Sequence, residues 1–323
     1  MNIKRVRIKD KKWIRCSLIK IGVLGHSSIA KRSVIPAINE CDDFVLDGIG
    51  SRDVRNGKSY EELLASDIDA VYVSLPVGLH YEWGKKVLKS GKHLLMEKTF
   101  TESYGQAKEL FDIASVLNLS CMEALMYEFH PLQKQIDSLL SVVGDIRCVE
   151  AHFGFPYIEN KNDIRYQKDL GGGAILDALI YPLSFVFRIL GDEYIDYEPI
   201  LFYDRENEID ERGYIQFKYD ESVANISYGF GHFYRNEVII WGEKAILKTN
   251  RVFSRPENCD VPIQLWNNEK YEKYEVENKN HFVEMLCSFG NSIKFNKSTS
   301  DKTLQRMSFI EGLSGIARSG FDI

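Results

Sequence analysis

Six cysteines among 323 residues, none within 25 positions of another in sequence except at that limit, leave no CxxC pair of the zinc or redox kind. Spacing that sparse, in a chain this long, also argues against a disulfide framework. Only 8 prolines beside 44% hydrophobic residues exclude a disordered, low-complexity protein. An excess of one charge is lacking too. The 41 Lys and Arg against 47 Asp and Glu give −6, which offers nucleic acid or an anionic membrane no overall attraction. Apolar runs are cut by charges well short of the roughly 18 residues that a bilayer span needs, so no membrane protein is expected. His26, His93, His152, His232 and His281 form no cluster with carboxylates at fixed spacing, and no metal site is expected. No G-x-S-x-G or Cys/His nucleophile arrangement is visible.

What is present is a change of texture near residue 120. Before it, the apolar runs LIKIGVLG (18–25), FVLDGIG (44–50), DAVYVSLP (69–76) and KHLLMEK (92–98) alternate with helical patterns at 28–40, 60–66, 78–90 and 103–117. That alternation predicts a parallel sheet wrapped by helices. After about 145, two-residue alternation dominates in IRCVEAHFGF, YIQFKYD, VANISYGF, NEVIIW and AILKT, as in an antiparallel sheet. Tyr214, Phe217, Tyr219, Tyr228, Phe230 and Tyr234 read there as packing residues. Long helices return at 280–293 and 301–318. Eight of the first 20 residues are Lys or Arg, with no apolar stretch before Trp13, so 1–17 reads as a basic extension of a cytoplasmic protein rather than a signal peptide. The expected organisation is an α/β dinucleotide-binding domain over 18–122 and an α+β domain over 123–323 with a large, mostly antiparallel open sheet. The final helices of the second are free to pack back on the first.

LIKIGVLGHSSIAKR puts a glycine turn between a strand and a helix. Gly25, Ser27 and Ala30 stand where a G-x-G-x-x-G/A fingerprint has its three small residues. The first permits the tight turn, the second lets N–H groups approach a pyrophosphate, and the third packs helix on strand; the helix N-terminus then faces the phosphates. Ser27 and Ser28 either donate to phosphate oxygens or cap the helix. After the next strand come Ser51 and Arg52, where NAD sites of this type place an acid. A guanidinium fork suits a 2′-phosphate, which favours NADP(H) over NAD(H), with NAD(H) still possible. Asp47 and Asp53 lie close enough in sequence to reverse that preference.

Three motifs in order then resemble those of the glucose-fructose oxidoreductase/inositol dehydrogenase (Gfo/Idh/MocA) family. MEKTF (96–100), with the run 59–98 leading into it, resembles the family's Glu-Lys-Pro motif. EALMYEFHP (123–131) resembles the crossing into its second domain, and NDIRYQKDLGGGAILDALIYP (162–182) resembles its GGG-x-x-x-D-x-x-x-Tyr signature. The likeness covers about 18–320 and implies a Rossmann domain followed by a sheet domain. The DIRYQ-x-D-x-GGGA-x-LD run and NRVFSRP (250–256) are closest to the branch of C-3 ketoreductases of nucleotide-linked keto-deoxysugars. Four places depart from the pattern. Thr99 replaces the proline, which bears on how Lys98 is positioned. Val77 replaces a common Asn, and Glu128 a common basic residue. Only 53–59 separates Arg52 from Tyr60, which implies a missing helix and strand and a more open adenine side.

Carbonyl reduction needs a hydride donor, a proton donor and a group that stabilises the developing alkoxide. The resemblance implies Tyr181 as proton donor, with Lys98 lowering its pKa and holding sugar hydroxyls. Asp177 would orient a hydroxyl or Lys98. Asp177 and Tyr181, spaced i, i+4, share a face if both are helical, but Pro182 implies a helix starting near 180 with Asp177 in the preceding loop. Gly171, Gly172 and Gly173 would let the backbone approach substrate or nicotinamide. Cofactor contacts are expected from Gly25, Ser27, Ser28 and Ile29, from Ser51 and Arg52, from Leu75, Pro76 and His80, and from Glu97 and Lys98. Tyr127, His130 and Arg165 are candidates for substrate, although His130 precedes a proline and can equally cap a helix. The implied activity is NAD(P)-dependent reduction of a sugar keto group, in a homodimer or tetramer paired through the C-terminal sheet. The alternatives are a dehydrogenase of a free sugar, polyol or trans-dihydrodiol, and a non-catalytic NAD(P)-sensing regulator.

Overall fold

The computed structural model of the chain describes residues 5–7, 13–15, 18–53, 57–295 and 300–321. Arg5–Arg7 (β1) and Trp13–Arg15 (β2) pair as an antiparallel hairpin; the rest of the basic N-terminal stretch lies outside the described residues. The first large layer is a five-stranded sheet built from Ile19–Leu24 (β3), Phe44–Gly50 (β4), Ala70–Val73 (β5), His93–Glu97 (β6) and Cys121–Ala124 (β7). Its strands are all parallel, in the order β4-β3-β5-β6-β7. Helices cover both faces, so β5 and β7 are buried at every position and read in the sequence as plain apolar runs. The helices are Ile35–Glu40 (α1), Tyr60–Leu64 (α2), His80–Lys89 (α3) and Tyr104–Val116 (α4). A capping box starts α2, in which Ser59 accepts from the Glu62 N–H and Glu62 accepts from the Ser59 N–H. The crossover from β4 to β5 therefore contains its helix, and the expected gap at 53–59 is not one; residues 54–56 of it lie outside the described residues. Strand order reverses at β3, which opens a crevice at the carboxyl ends of β3 and β5.

Pro131–Val143 (α5) leads into the second layer, eight strands in the order β15-β14-β13-β12-β8-β11-β10-β9. They are Ile146–Phe155 (β8), Asp196–Asp204 (β9), Ile209–Lys218 (β10), Val223–Phe230 (β11), Arg235–Gly242 (β12), Ala245–Asn250 (β13), Ile263–Asn267 (β14) and Tyr271–Tyr274 (β15). All neighbours are antiparallel except β8 and β11. The alternation on β10 sends Ile215 and Phe217 inward and Tyr214, Gln216 and Lys218 outward. Tyr214 is thus half-exposed, unlike its buried neighbours Phe217, Tyr228 and Phe230. Ile180–Leu190 (α6) lies against the inner face. A wide π-type turn, Ile175–Leu179, runs directly into α6. The helical path therefore begins before Pro182, and Asp177 sits in that turn rather than in a loop. The widened turn changes the hydrogen-bond register in which a proline would otherwise leave a gap.

By composition, 168–190 is long and apolar enough to cross a bilayer, contrary to the expectation that every run falls short. Its apolarity has another cause, because 67% of the window is buried inside the protein. His281–Phe295 (α7) returns to the first layer, where Phe289 stacks on Phe44 at 6.0 Å. Cys287 on α7 brings its Sγ to 3.5 Å from that of Cys41, both as free thiols, a proximity that a separation of 246 residues conceals. Asp301–Phe321 (α8) closes the chain against the end of β7, where Arg306 and Glu123 form a buried ion pair at 2.7 Å.

Candidate active site

A cavity of about 970 Å³ lies between the two layers, at the carboxyl ends of β3, β4, β5 and β6. Its first end is the turn after β3. Gly25 has φ +102°, and a Cβ there would stand 2.4 Å from the Ser74 carbonyl oxygen, so the turn requires glycine. Ser27 and Ser74, from the turns after β3 and β5, share a hydroxyl hydrogen bond of 2.5 Å across the crevice. Ser27 also accepts from the Ala30 N–H at 3.1 Å, so it caps the helical turn. Ser28, Ile29, Ser51, Arg52, Leu75 and Pro76, the residues from which cofactor contacts were expected, line this end. So does Arg32, whose Nε reaches the Ser28 carbonyl at 3.4 Å. Arg32 lies one turn after Ser28, a spacing that could have pointed to it. Asp53 is on the cavity, while Asp47 is exposed on β4 and away from it.

Lys98 follows β6 and enters the cavity beside Asp177 and Tyr181. Its Nζ donates to Asp177 Oδ1 at 2.7 Å and to the Asp177 carbonyl at 2.9 Å. Arg165 Nε donates to Asp177 Oδ2 at 2.7 Å, and its Nη1 to Asp163 at 3.0 Å. The result is a partly buried chain of alternating charge, Lys98–Asp177–Arg165–Asp163. Burial pushes the Asp177 carboxyl up, but the two cations beside it prevail and hold it down to about 2. Asp177 in turn raises Arg165, so both stay charged.

Tyr181 is 6% exposed, and Lys98 Nζ stands 5.3 Å from its ring centre. Burial, followed by the charges of Glu97 and Asp177, pushes its hydroxyl well above the usual phenol range, and Arg165 opposes them. The net direction is upward, opposite to the lowering expected from Lys98, whose ammonium donates to Asp177. The phenol is held protonated, as a proton donor needs to be at neutral pH. Glu97 also faces the cavity, accepting from the buried Tyr72 hydroxyl at 2.5 Å and from the Lys98 N–H at 3.2 Å.

At Thr99 the turn that carries Lys98 is held from several sides. The Lys98–Thr99 peptide is cis, and the Thr99 hydroxyl donates to the Leu176 carbonyl at 2.6 Å. Glu123 accepts the Phe100 N–H at 3.1 Å, and Arg306 holds Glu123 from the other side. His80 is fully buried behind the cavity, not on it as expected. Its ring nitrogens stand 2.9 Å from the Thr99 carbonyl and 2.8 Å from that of Leu75, so it ties two cavity turns together.

Two substrate candidates fall away. Tyr127 is fully buried, bonded to Ser184 at 2.6 Å and packed edge-on to Phe253. His130 caps α5, accepting from the Leu132 N–H at 3.1 Å. Arg165 does line the cavity. The sequence reading missed Phe153 and Phe155, which line its far end. Their i, i+2 spacing on β8 puts them on one face, and that was the available signal. The glycines 171–173 are each required by the protein's own packing. A Cβ on Gly171 would meet the Gly78 nitrogen at 2.9 Å, one on Gly172 the Arg165 carbonyl at 2.8 Å, and one on Gly173 an Asp210 carboxylate oxygen at 2.4 Å.

Comparison with known proteins agrees with this architecture. The model of an oxidoreductase family with an NAD-binding Rossmann fold (Gfo/Idh/MocA) matches residues 19–124, and that of the Gfo/Idh/MocA C-terminal domain matches 136–248. A dTDP-3,4-didehydro-2,6-dideoxy-alpha-D-glucose 3-reductase from Actinomadura kijaniata is 30% identical over 319 residues, 93% of this chain and 96% of its own. A crystal structure of a 3-ketoreductase from that organism, in complex with NADP and TDP-benzene, superposes with a TM-score of 0.85 at 30% identity, covering 92% of this chain and 97% of that one. A D-xylose 1-dehydrogenase (NADP(+)) from Haloferax volcanii is 36% identical over 185 residues, 53% of this chain and 57% of its own.

Proposed function

This chain belongs to the Gfo/Idh/MocA family of oxidoreductases, and from that premise we propose that it reduces the keto group of a dTDP-linked keto-deoxysugar with NADPH. The observation that carries the reading is the chain Lys98–Asp177–Arg165 beside a protonated Tyr181, in the cavity that also receives Arg52. Likeness to a 3-ketoreductase over nearly the whole chain supports the substrate class.

The residues present fit a dinucleotide. The Gly25 turn leaves no room for a Cβ, and the helical turn beginning at Ser27 and Ser28 faces the cavity. Arg52 and Arg32 supply cationic forks on the same side, which suit a 2′-phosphate. When bound, the nicotinamide supplies the hydride. The protein supplies the rest. Tyr181 gives its phenolic proton to the carbonyl oxygen as negative charge builds there, and an alkoxide is basic enough to take it even from a phenol of raised pKa. Lys98 has two of its three N–H groups on Asp177, leaving the third for a sugar oxygen. Asp177 fixes that ammonium, and Phe153 and Phe155 give the sugar-nucleotide an apolar wall. Two copies of the chain pair through the outer face of the large sheet, where Ile200, Phe202, Trp241 and Trp266 are exposed.

Fluorescence titration with NADPH and NADH, followed by addition of dTDP-linked keto sugars, tests the reading. Tighter NADPH binding and its oxidation on adding the keto sugar are expected. Turnover of free pentoses alone would favour the sugar dehydrogenase reading, to which the D-xylose 1-dehydrogenase likeness points. Tight binding without turnover of any sugar would mark a regulator.

A further inference from the structure

The helical run that carries Asp177 and Tyr181 begins without a cap of its own. Its first flanking residue is Ala174, which has no side chain able to accept a hydrogen bond. The cap comes from elsewhere in the fold. Asp210, at the start of β10, reaches over and accepts the Ile175 N–H at 2.6 Å through Oδ2. Its strand bulges between Asp210 and Arg212, which re-aims the side chain. The helix end is shaped to receive it: Gly173 has φ +108°, and a Cβ there would lie 2.4 Å from Asp210 Oδ1. Any larger residue would push the carboxylate off the helix.

We propose that Asp210 is a positioning residue for the reduction: it caps and anchors the turn 174–179, and so sets where Asp177 and Tyr181 stand relative to Lys98. The proposal rests on the activity proposed above. Asp177 is two residues into the capped turn and holds Lys98 and Arg165 with 2.7 Å bonds, so a small shift of the turn would break the ion chain. Among the described residues no Lys or Arg pairs with Asp210. The ionisable groups that face it are Tyr228 on β11 and Tyr203 on β9, both uncharged at neutral pH. Burial raises the Asp210 carboxyl to about 7, against the pull of the Ile175, Asp210 and Ala174 N–H groups. The cap therefore ionises as pH rises through neutrality. Because the folded value lies above the unfolded one, the native state is favoured when Asp210 is protonated, and that advantage is lost as pH rises from about 4 to 7. Removing the charge with Asp210→Asn should then leave the melting temperature at pH 8 unchanged or raised, while turnover falls.

The test compares wild type, Asp210→Asn and Asp210→Ala. In cofactor-free protein labelled with 13C at the aspartate carboxyls, the signal titrating near 7 should vanish in both variants, and the Asp177 signal, at about 2 in wild type, should move up in Asp210→Ala. With NADPH and keto sugar, kcat should fall about 10²-fold in Asp210→Ala and less in Asp210→Asn, with NADPH affinity changed by no more than about twofold. The kcat limb near neutral pH should disappear in Asp210→Asn. An Asp177 titration identical in wild type and Asp210→Ala overturns the proposal. So does an Asp210→Asn variant that loses melting temperature and turnover together, the mark of a plain structural role; that variant also keeps the test open should Asp210→Ala not fold. A wild type that binds NADPH but reduces no keto sugar overturns the activity instead, and the Asp177 signal still decides the role of Asp210.

Discussion

Replacing Asp177 with Asn keeps the shape of the side chain and removes one charge from the middle of the ion chain. The carboxylate has 2.7 Å bonds to both Lys98 and Arg165, and its side chain is only 18% exposed, so solvent screens little of the effect. Its carboxyl sits at about 2 against an ordinary 3.8, which corresponds to about 2.5 kcal/mol in favour of the folded anion. The sign follows from the depressed value. This stabilisation is complete above the unfolded pKa and is lost as pH falls from about 4 towards 2. Asp177→Asn lacks it throughout, and it leaves Lys98 and Arg165 facing each other across a neutral amide. At pH 7 the variant should melt about 3–5 °C below wild type. That gap should hold down to about pH 4 and narrow below it. Scanning calorimetry across that range measures it. A variant melting within about 1 °C of wild type at pH 7 would falsify the ion chain as a feature of the protein in solution.

Tyr181→Phe should bind NADPH as wild type does and lose turnover by about 10²–10⁴-fold; stopped-flow oxidation of NADPH reads this, and a near-normal kcat would remove Tyr181 from the proton-donor role. Arg52→Ala should weaken NADPH by about 10- to 100-fold and leave NADH nearly unchanged; equal losses for both cofactors in fluorescence titration would contradict a 2′-phosphate contact. Gly25→Ala forces a Cβ to 2.4 Å from the Ser74 carbonyl at φ +102°. It should lower unfolding free energy by about 2 kcal/mol in urea and weaken both cofactors together. Unchanged binding would mean that the turn does not cradle phosphate.

Most of the two-layer fold was legible because its cores are local signals. The strands β3, β5 and β6 are buried on both faces and appear as apolar runs, while β10 and β11 alternate. The i, i+4 relation of Asp177 and Tyr181 was legible for the same reason. What misled was local chemistry whose meaning depends on distant partners. Pro182 argued for a helix start, yet the widened turn ahead of it carries the helix back past Asp177. Tyr127 and His130 have the polar ends of site residues, but Ser184 and the Leu132 N–H engage them inside the fold.

The departure at Thr99 shows how the site is actually built. A proline restricts a turn through its own ring. Here the same turn is restricted by neighbours: Leu176 takes the Thr99 hydroxyl, His80 meets its carbonyl, and Glu123 takes the next N–H. Those partners lie 19 to 77 residues away, so no local motif could report them. The same holds for Asp210, 35 residues from the N–H it accepts. Lys98, Asp177 and Tyr181, which meet in the cavity, were readable from motif and resemblance, whereas the groups that hold their turns come from the packing of one layer on the other. In this chain several long-range contacts hold the turn that carries Lys98.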